Sequence, residues 1–281
     1  MLEAADVDIA YGRMTVVSGA TLAVAPGEVL ALCGPNGAGK SSLFAALAGE
    51  LRPRRGTVRI GGADIRTLRA AALAERRAVL EQSPSLSAEF TVAELIGLAI
   101  PLRVTPETAE EIVAQTIAEV DLTDHRARSV LRLSGGQRHR AHLGRALAQL
   151  AAGHALGQTP CLLLDEPTAS LDVAHQIAVM RLARAAAARG AAVAVVLHDL
   201  NLAAAFADRT ALMDEGRIIA DGPPDEVFTA DRLTATYGTE ITVRPGPGGR
   251  PTVVPEYGPE QREEPSHVRR HEPLPRASGR R

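Results

Sequence analysis

Three short runs of apolar residues stand out along the chain: EVLALC, CLLL and AAVAVVL. Unbroken apolar runs of this length are typical of strands in a parallel sheet that is covered on both faces. The first run ends at Gly34, the second at Asp165 and Glu166, and the third at His198 and Asp199. Because ligands bind beyond the carboxyl ends of such strands, the pattern predicts that a glycine loop, an acidic pair and a histidine meet in one crevice.

Segments with apolar residues at helical spacing lie between these runs. They cover residues 41–51, a mixed region at 91–152, and residues 174–189. We interpret the region at about 86–150, which contains a proline-marked break, as a separate helical insert. Strands that alternate with helices in this way predict an α/β fold.

Two further segments are predicted to be β structure. In TLAVAPGEVLAL a Pro-Gly turn separates two apolar segments, which predicts an antiparallel hairpin in a small β layer ahead of the main sheet. Residues 239–255 have the pattern of a C-terminal hairpin. Residues 256–281 contain too few apolar side chains to offset their ordering entropy, so we predict a disordered tail in which His267 and His271 are solvated rather than ligands.

Composition adds limits on partners and compartment. The 281 residues are 46% hydrophobic, which is ample for a buried core, and 31 basic residues nearly cancel 33 acidic ones. This balance argues against a nucleic-acid partner. The two cysteines, Cys33 and Cys161, lie at the edges of apolar runs and suit reduced core thiols in a cytosolic protein. The sequence has no stretch approaching the roughly 18 apolar residues of a membrane span.

The run GPNGAGKS fits the pattern G-x-x-x-x-G-K-[ST] of a phosphate-binding loop and lies between a predicted strand and a predicted helix. In such a loop, backbone N–H groups and the helix N-terminus bind phosphate oxygens. Among the 31 basic residues Lys40 is the only lysine. A compact ammonium fits between β- and γ-phosphates, where a planar guanidinium would displace backbone donors. The predicted nucleotide-binding residues here are Gly34, Pro35, Asn36, Gly37, Ala38, Gly39, Lys40, Ser41 and Ser42.

Two acidic residues close the second apolar run. Asp165 followed by Glu166 is the usual arrangement of a Mg²⁺-holding aspartate and a carboxylate that polarises an attacking water. Ser41 is the second candidate for Mg²⁺. Two solvated acids at a strand end are the alternative, which the phosphate loop makes the weaker interpretation.

The stretch LSGGQ provides a second possible anion site. Ser134, Gly135, Gly136 and Gln137 lie at the start of a predicted helix, with the serine as its cap. Taken alone, the stretch is equally consistent with an ordinary Ser-Gly-Gly loop.

Together these motifs make the sequence resemble the ATP-binding subunits of ABC transporters. In that family's order, GPNGAGKSS matches the Walker A loop, LSGGQ the signature and CLLLDEP the Walker B strand. Gln82 matches the Q-loop, Asp172 the D-loop and His198 the switch histidine, while Tyr11 lies where the family stacks an aromatic ring on adenine. The resemblance covers residues 1–238.

The resemblance implies a P-loop NTPase (RecA-like) core with an N-terminal antiparallel β layer and an inserted α-helical subdomain. ATP would bind between two copies, with the LSGGQ segment of one copy completing the site of the other. Ser41, Gln82 and Asp165 would hold Mg²⁺, Glu166 would act on the water, and His198 would contact the γ-phosphate. The implied partners are membrane permease subunits and, through them, a periplasmic substrate-binding protein, which places the chain peripherally on the cytoplasmic face of the inner membrane.

Within the family the chain most resembles the ATPases of bacterial haem importers, through LAGELRPRRG, SLSAEFTVAEL, SLDVAHQ and ADRLTATYG. Importers of iron-siderophores or cobalamin share several of these features, and Glu81, Arg138 and His139 depart from the commoner family pattern. A soluble ABC ATPase of DNA repair or translation is a further alternative, although such proteins usually carry two cassettes or an added coiled-coil or zinc insert. A phosphate-loop kinase or GTPase is disfavoured by LSGGQ and by the strand before His198.

Overall fold

A computed structural model describes residues 1–82, 88–169 and 171–256. The predicted disordered tail, apart from residue 256, lies outside these residues. Within the described residues, every helix is too short or too polar to cross a bilayer.

The centre of the fold is a six-stranded sheet in the order β10-β9-β3-β8-β7-β6. Its strands are β3 (Val29–Cys33), β6 (Arg77–Leu80), β7 (Cys161–Leu164), β8 (Ala192–Val196), β9 (Arg209–Asp214) and β10 (Arg217–Gly222). All neighbours are parallel except β10, which runs antiparallel to β9. Every residue of β3, β7 and β8 is buried, as the unbroken apolar runs predict.

A second, antiparallel sheet forms the N-terminal β layer in the order β2-β1-β4-β5. It consists of β1 (Leu2–Tyr11), β2 (Met14–Val24), β4 (Arg55–Ile60) and β5 (Ala63–Asp64). Its strands alternate buried and exposed positions, and the buried side chains share a core with helix α1 (Lys40–Ala48) and one face of the central sheet. This layer therefore covers one face of the parallel sheet.

The predicted hairpin around the Pro-Gly turn is wrong. The turn itself exists, because the N–H of Glu28 donates to the carbonyl of Ala25 over 3.2 Å and Gly27 has a φ of 84°. However, β2 pairs with β1, whereas β3 pairs with β8 and β9. The fully apolar β3 is stable only where both its faces are covered, so the turn carries the chain from one sheet into the other.

The remaining helices cover the other face or form the insert, except the first of them, whose Leu73 packs in the core of the N-terminal layer. They are α2 (Ala70–Ala74), α3 (Val92–Gly97), α4 (Pro106–Glu119), α5 (Gly135–Ala155), α6 (Val173–Ala188), α7 (Leu200–Phe206), α8 (Pro224–Val227) and α9 (Ala230–Tyr237). Helices α3, α4 and α5 pack on one another, and α5 also packs on β6. Gly144 permits close packing, since a Cβ there would lie 3.0 Å from Ile96. The helical region and the central sheet therefore share one continuous core.

The described chain ends in a two-stranded antiparallel sheet of β11 (Ile241–Pro245) and β12 (Pro251–Pro255). Ile241 and Val253 are buried in the core cluster of the helical face. Strand β12 packs against α7. The C-terminal hairpin is thus joined to the body of the fold rather than extending from it.

The layered core predicts a clear difference between two leucines. Leu163 of β7 is fully buried, whereas Leu102 is fully exposed. Leu163→Ala should lower the free energy of unfolding by about 2–5 kcal/mol because it leaves a cavity beside the parallel sheet. Leu102→Ala should change it by less than about 0.5 kcal/mol. Urea unfolding followed by circular dichroism measures both, and equal effects would contradict the predicted core.

Candidate functional site

The loop after β3 is shaped by two glycines that no other residue can replace. Gly34 has a φ of 143°, and a Cβ there would lie 2.1 Å from the carbonyl oxygen of Met213. Gly39 has a φ of 93°, and its Cβ would lie 2.8 Å from the carbonyl oxygen of Val16. Because both positions lack a Cβ, the loop can approach the neighbouring backbone closely.

Lys40 begins helix α1 and points back into this loop. Its side chain is 5% exposed, and Nζ donates to the carbonyl oxygens of Gly34 and Pro35, each over 2.8 Å. Burial lowers the pKa of Lys40, and the negative charge of Glu166 opposes this shift. The lone lysine of the chain is therefore an ammonium group fixed inside the loop.

An open cavity of about 200 Å³ lies over the loop and brings it together with the ends of β7 and β8. The residues that line it are Val16, Asn36, Gly37, Gly39, Lys40, Ser41, Ser42, Glu166 and His198. The glycine loop, one of the two acids and the histidine thus meet, as the three apolar runs predict. Val16 was missed, because a partly buried valine in a strand of alternating burial has no sequence pattern that points to the cavity.

Glu166 lies at the centre of a three-residue network. Its Oε1 is 2.7 Å from Nε2 of His198, and its Oε2 accepts a hydrogen bond of 2.7 Å from Nε2 of Gln82. Its backbone has a φ of 48°, an unfavourable conformation for a residue with a side chain. The fold therefore holds this carboxylate in a fixed position between two polar side chains.

Asp165 is close by in a different environment. Its N–H donates to the carbonyl of Leu80 over 2.9 Å, while its buried Oδ1 accepts no hydrogen bond from any described residue. Burial raises the pKa of Asp165 to about 6, with smaller contributions from Glu166 and Glu50. The contribution of Glu50 was not predicted, because no local sequence pattern indicates that Glu50 lies near Asp165 at the end of β7.

Tyr11 is half-exposed at the end of β1. Its hydroxyl oxygen lies 3.4 Å from Oγ of Ser42, so the ring lies beside the start of α1. Asp172 caps helix α6, accepting a hydrogen bond of 2.9 Å from the N–H of His175. This backbone hydrogen bond, together with the nearby imidazole, lowers the pKa of Asp172.

The LSGGQ segment forms the N-terminus of α5. Ser134 caps the helix by accepting from the N–H of Gln137 over 3.2 Å, and Gln137 accepts from the N–H of Ser134 over 3.0 Å. Beside Gly135 and Gly136 a Cβ would meet open space. In the described part of the chain, none of these four residues lines the cavity at Lys40. The segment therefore presents a separate helix N-terminus on the surface of the same chain.

A model of the ABC transporter family matches residues 17–169, which include the phosphate loop, the LSGGQ segment and the acidic pair. The chain belongs to this family. It is 43% identical over 255 residues to the Hemin import ATP-binding protein HmuV of Rhodopseudomonas palustris (strain HaA2), covering 91% of this chain and 97% of that protein. It is also 44% identical over 256 residues to the protein of the same name from Pseudomonas entomophila (strain L48), covering 90% and 99%.

Solved structures agree with this family membership. An ATP-binding subunit of an ABC transporter superimposes with a TM-score of 0.72 at 25% identity, covering 85% of this chain and 95% of the other. The dimeric ABC transporter cassette MJ0796 gives a TM-score of 0.69 at 23% identity, covering 80% and 99%, and so shows the fold alone. The predicted P-loop NTPase fold is confirmed.

Burial of Asp165 in the ABC cassette makes the free energy of unfolding depend on pH. A carboxyl with a raised pKa supports folding below its ordinary pKa of 3.8, and this support is lost as the pH rises toward about 6. Asp165→Asn should therefore stabilise the nucleotide-free protein at pH 8, by about 1 kcal/mol once solvent screening is allowed for. The gain should grow between about pH 4 and 6 and then level off.

Chemical unfolding at several pH values measures this effect. Asp225→Asn, at an exposed position of α8, is the control. A loss of stability for Asp165→Asn at pH 8 would contradict the assigned cause of the shift.

Proposed function

We propose that this chain is the ATP-hydrolysing subunit of an ABC importer and that ATP binds in the cavity at Lys40. The observation that carries the proposal is the position of Glu166, whose carboxylate contacts His198 and Gln82 beside the phosphate loop. A base, a phosphate-binding ammonium and a polar histidine around one cavity are the parts that phosphoryl transfer to water requires.

Phosphate binding would rest on the loop and on α1. The α1 N-terminus is free of acidic residues in its first turn, so its partial positive charge is not neutralised locally. Lys40 holds two carbonyl oxygens of its own loop and has a third N–H with which to reach a phosphate oxygen. Tyr11, exposed beside Ser42, would stack on the adenine ring.

The residues present fit a Mg²⁺ ion. Asp165 offers a buried oxygen without a described donor, Ser41 offers a hydroxyl in the cavity wall, and Gln82 keeps its amide oxygen while its nitrogen donates to Glu166. These three oxygens are ligands that Mg²⁺ prefers, and we propose that they hold it. When bound, the ion would neutralise charge on the phosphate oxygens.

Glu166 would accept the proton of the attacking water. In the network it accepts from Gln82 and contacts His198, so its two oxygens are fixed before the substrate enters. His198, with a side chain 45% exposed, lines the cavity and would contact a γ-phosphate there. Preorganisation of this kind lowers the barrier because the polar groups need little rearrangement during the reaction.

A second copy of the chain would complete the site. The α5 N-terminus of one copy, with Ser134, Gly135, Gly136 and Gln137, would bind the ATP held by the other, and Asp172 would lie at the same interface. The absence of these residues from the cavity at Lys40, within the described residues, supports a head-to-tail dimer rather than a site formed by one chain. A related cassette forms a dimer.

The domains and partners agree with this arrangement. We propose an ABC ATP-binding domain at 1–238 with its helical insert at about 86–150, and a hairpin extension at 239–255. The insert and the Q-loop would contact the membrane permease, which would link the chain to a periplasmic substrate-binding protein. The chain would then lie peripherally on the cytoplasmic face of the inner membrane, with no nucleic-acid partner.

Haem is the proposed cargo. The support is the name of relatives that are 43% and 44% identical over about nine-tenths of this chain and nearly all of their own length. The chain itself would not touch haem. Its role would be to drive the permease through ATP-dependent closure of the dimer and ATP hydrolysis.

The role of Glu166 predicts a separation of binding from turnover. Glu166→Gln should keep ATP affinity and lower kcat by about a hundredfold or more, because an amide cannot accept the water's proton. ATP should then hold the variant in a closed dimer during size-exclusion chromatography. The control is Glu215→Gln, at a glutamate that also has a positive φ but lies in an exposed turn. Unchanged turnover of Glu166→Gln would refute the assigned role.

The cargo assignment predicts coupling to haem. In vesicles that contain this subunit and its permease, haem-loaded binding protein should raise ATP hydrolysis several-fold over the unloaded protein, and the Glu166→Gln complex should not respond. Stimulation by a ferric siderophore or by cobalamin on its own binding protein, with none by haem, would keep the importer and reject the cargo.

A further inference from the structure

Helix α7 connects the proposed switch histidine to the C-terminal hairpin. His198 lies between the end of β8 and the start of this helix, and half of its side chain is exposed. Burial of the imidazole therefore does not fix its position. The backbone next to it is fixed by the cap of α7, because Asp199 accepts from the N–H groups of Asn201 and Leu202 over 2.8 and 3.1 Å.

Helix α7 has only seven residues, and a helix of this length is not stable by its own hydrogen bonds. Its apolar side, including Leu200 and Leu202, belongs to the same core cluster as Val253 of β12 and Ile241 of β11. Packing against the C-terminal hairpin thus supplies part of the energy that keeps α7 in place.

The most specific contact in this interface is made by Asn201. Its Oδ1 accepts from the N–H of Val253 over 2.8 Å, and its Nδ2 donates to the carbonyl of Val253 over 3.1 Å. One side-chain amide therefore pairs with both the N–H and the carbonyl of Val253, as the backbone of a neighbouring strand would.

The sequence of β12 explains why Asn201 binds Val253 and not another residue on the same edge of the strand. Backbone hydrogen bonds join residues 240 with 256 and 246 with 250. Because hydrogen-bonded pairs alternate along an antiparallel ladder, the backbone groups of Pro251, Val253 and Pro255 point away from β11. Two of these three residues are prolines without an N–H. Val253 alone on this outer edge of β12 offers both a donor and an acceptor to Asn201.

Arg250 holds the other end of α7. Its Nη1 donates to the carbonyls of Ala204 and Ala207 over 3.1 and 2.5 Å, at the helix C-terminus where a cation is favourable. The hairpin therefore contacts α7 at its first turn through Val253 and at its last turn through Arg250.

We infer that Asn201 is a positioning residue for ATP hydrolysis: by anchoring α7 to the C-terminal hairpin, it holds His198 against Glu166. The inference rests on the proposed function. The hairpin thereby becomes a part of the hydrolytic apparatus although, among the described residues, it does not line the cavity at Lys40. Since small displacements of a reacting group have large effects on rate, loosening α7 should lower kcat and leave ATP binding at the loop unchanged.

The test breaks the contact from each side. Asn201→Leu removes both hydrogen bonds with little change in volume. Val253→Pro removes the N–H that donates to Asn201, on the outer edge of β12 where Pro251 and Pro255, two residues away on either side, already lack an N–H. Each should lower kcat by about tenfold while KM for ATP stays within about twofold. Arg244→Ala, at an exposed position of β11, is the matched control and should keep the wild-type kcat.

The His198→Ala background separates positioning from general destabilisation. If Asn201 acts through the histidine, Asn201→Leu should cause no further loss of kcat there, whereas a merely structural weakening would lower kcat again. Wild-type kcat in both Asn201→Leu and Val253→Pro, or an additive loss in the His198→Ala background, would overturn the role of Asn201 and leave the proposed function intact. A wild-type chain that hydrolyses no ATP with its permease would overturn the proposed function and this role with it.

Discussion

Parallel pairing of three neighbouring strands is the constraint on which the site depends. Leu164 of β7 pairs with Val195 of β8, and Leu32 of β3 pairs with Val196 of the same strand. This register makes the chain leave all three strands at one edge of the sheet, immediately before the phosphate loop, the acidic pair and the histidine. Since both faces of these strands are buried, any change of register would break packing in both cores at once.

The site buries two ionisable groups beside an open cavity. Burial lowers the pKa of Lys40 and raises that of Asp165, so each group is held away from its ordinary protonation equilibrium. Glu166 is in addition held at a positive φ. Such features are unfavourable for the isolated chain, and they suit a ligand that brings both anionic oxygens and a cation to the same cavity.

The C-terminal hairpin extends the site beyond the parallel sheet. Because Asn201 and Arg250 attach α7 at both ends, the segment after His198 is not a free loop but one side of a packed interface. The match to the family model ends at residue 169, before this interface begins, and the contacts that attach α7 are seen in the tertiary structure. The histidine is thus supported by a part of the chain that is distant from it in sequence.

Much of the fold and site was predictable because its signals are local. The phosphate loop, the apolar strands and the serine cap of α5 each depend on residues a few positions apart, whose spacing sets backbone hydrogen bonds and buried faces directly. The same local reasoning recognised the turn at Gly27 but assigned the following strand to the wrong sheet, since a turn gives no information on which distant strand will cover an apolar one.

Tertiary structure alone decided the contacts between distant segments. The amide of Gln82 meets Glu166 across 84 positions, Asn201 meets Val253 across 52, and Glu50 comes near enough to raise the pKa of Asp165. No local pattern in the sequence predicts these contacts, although the family resemblance places Gln82 and Glu166 around the same nucleotide. Their meeting depends on how whole strands and helices pack, which is set by the combined burial of many side chains and not by any one of them.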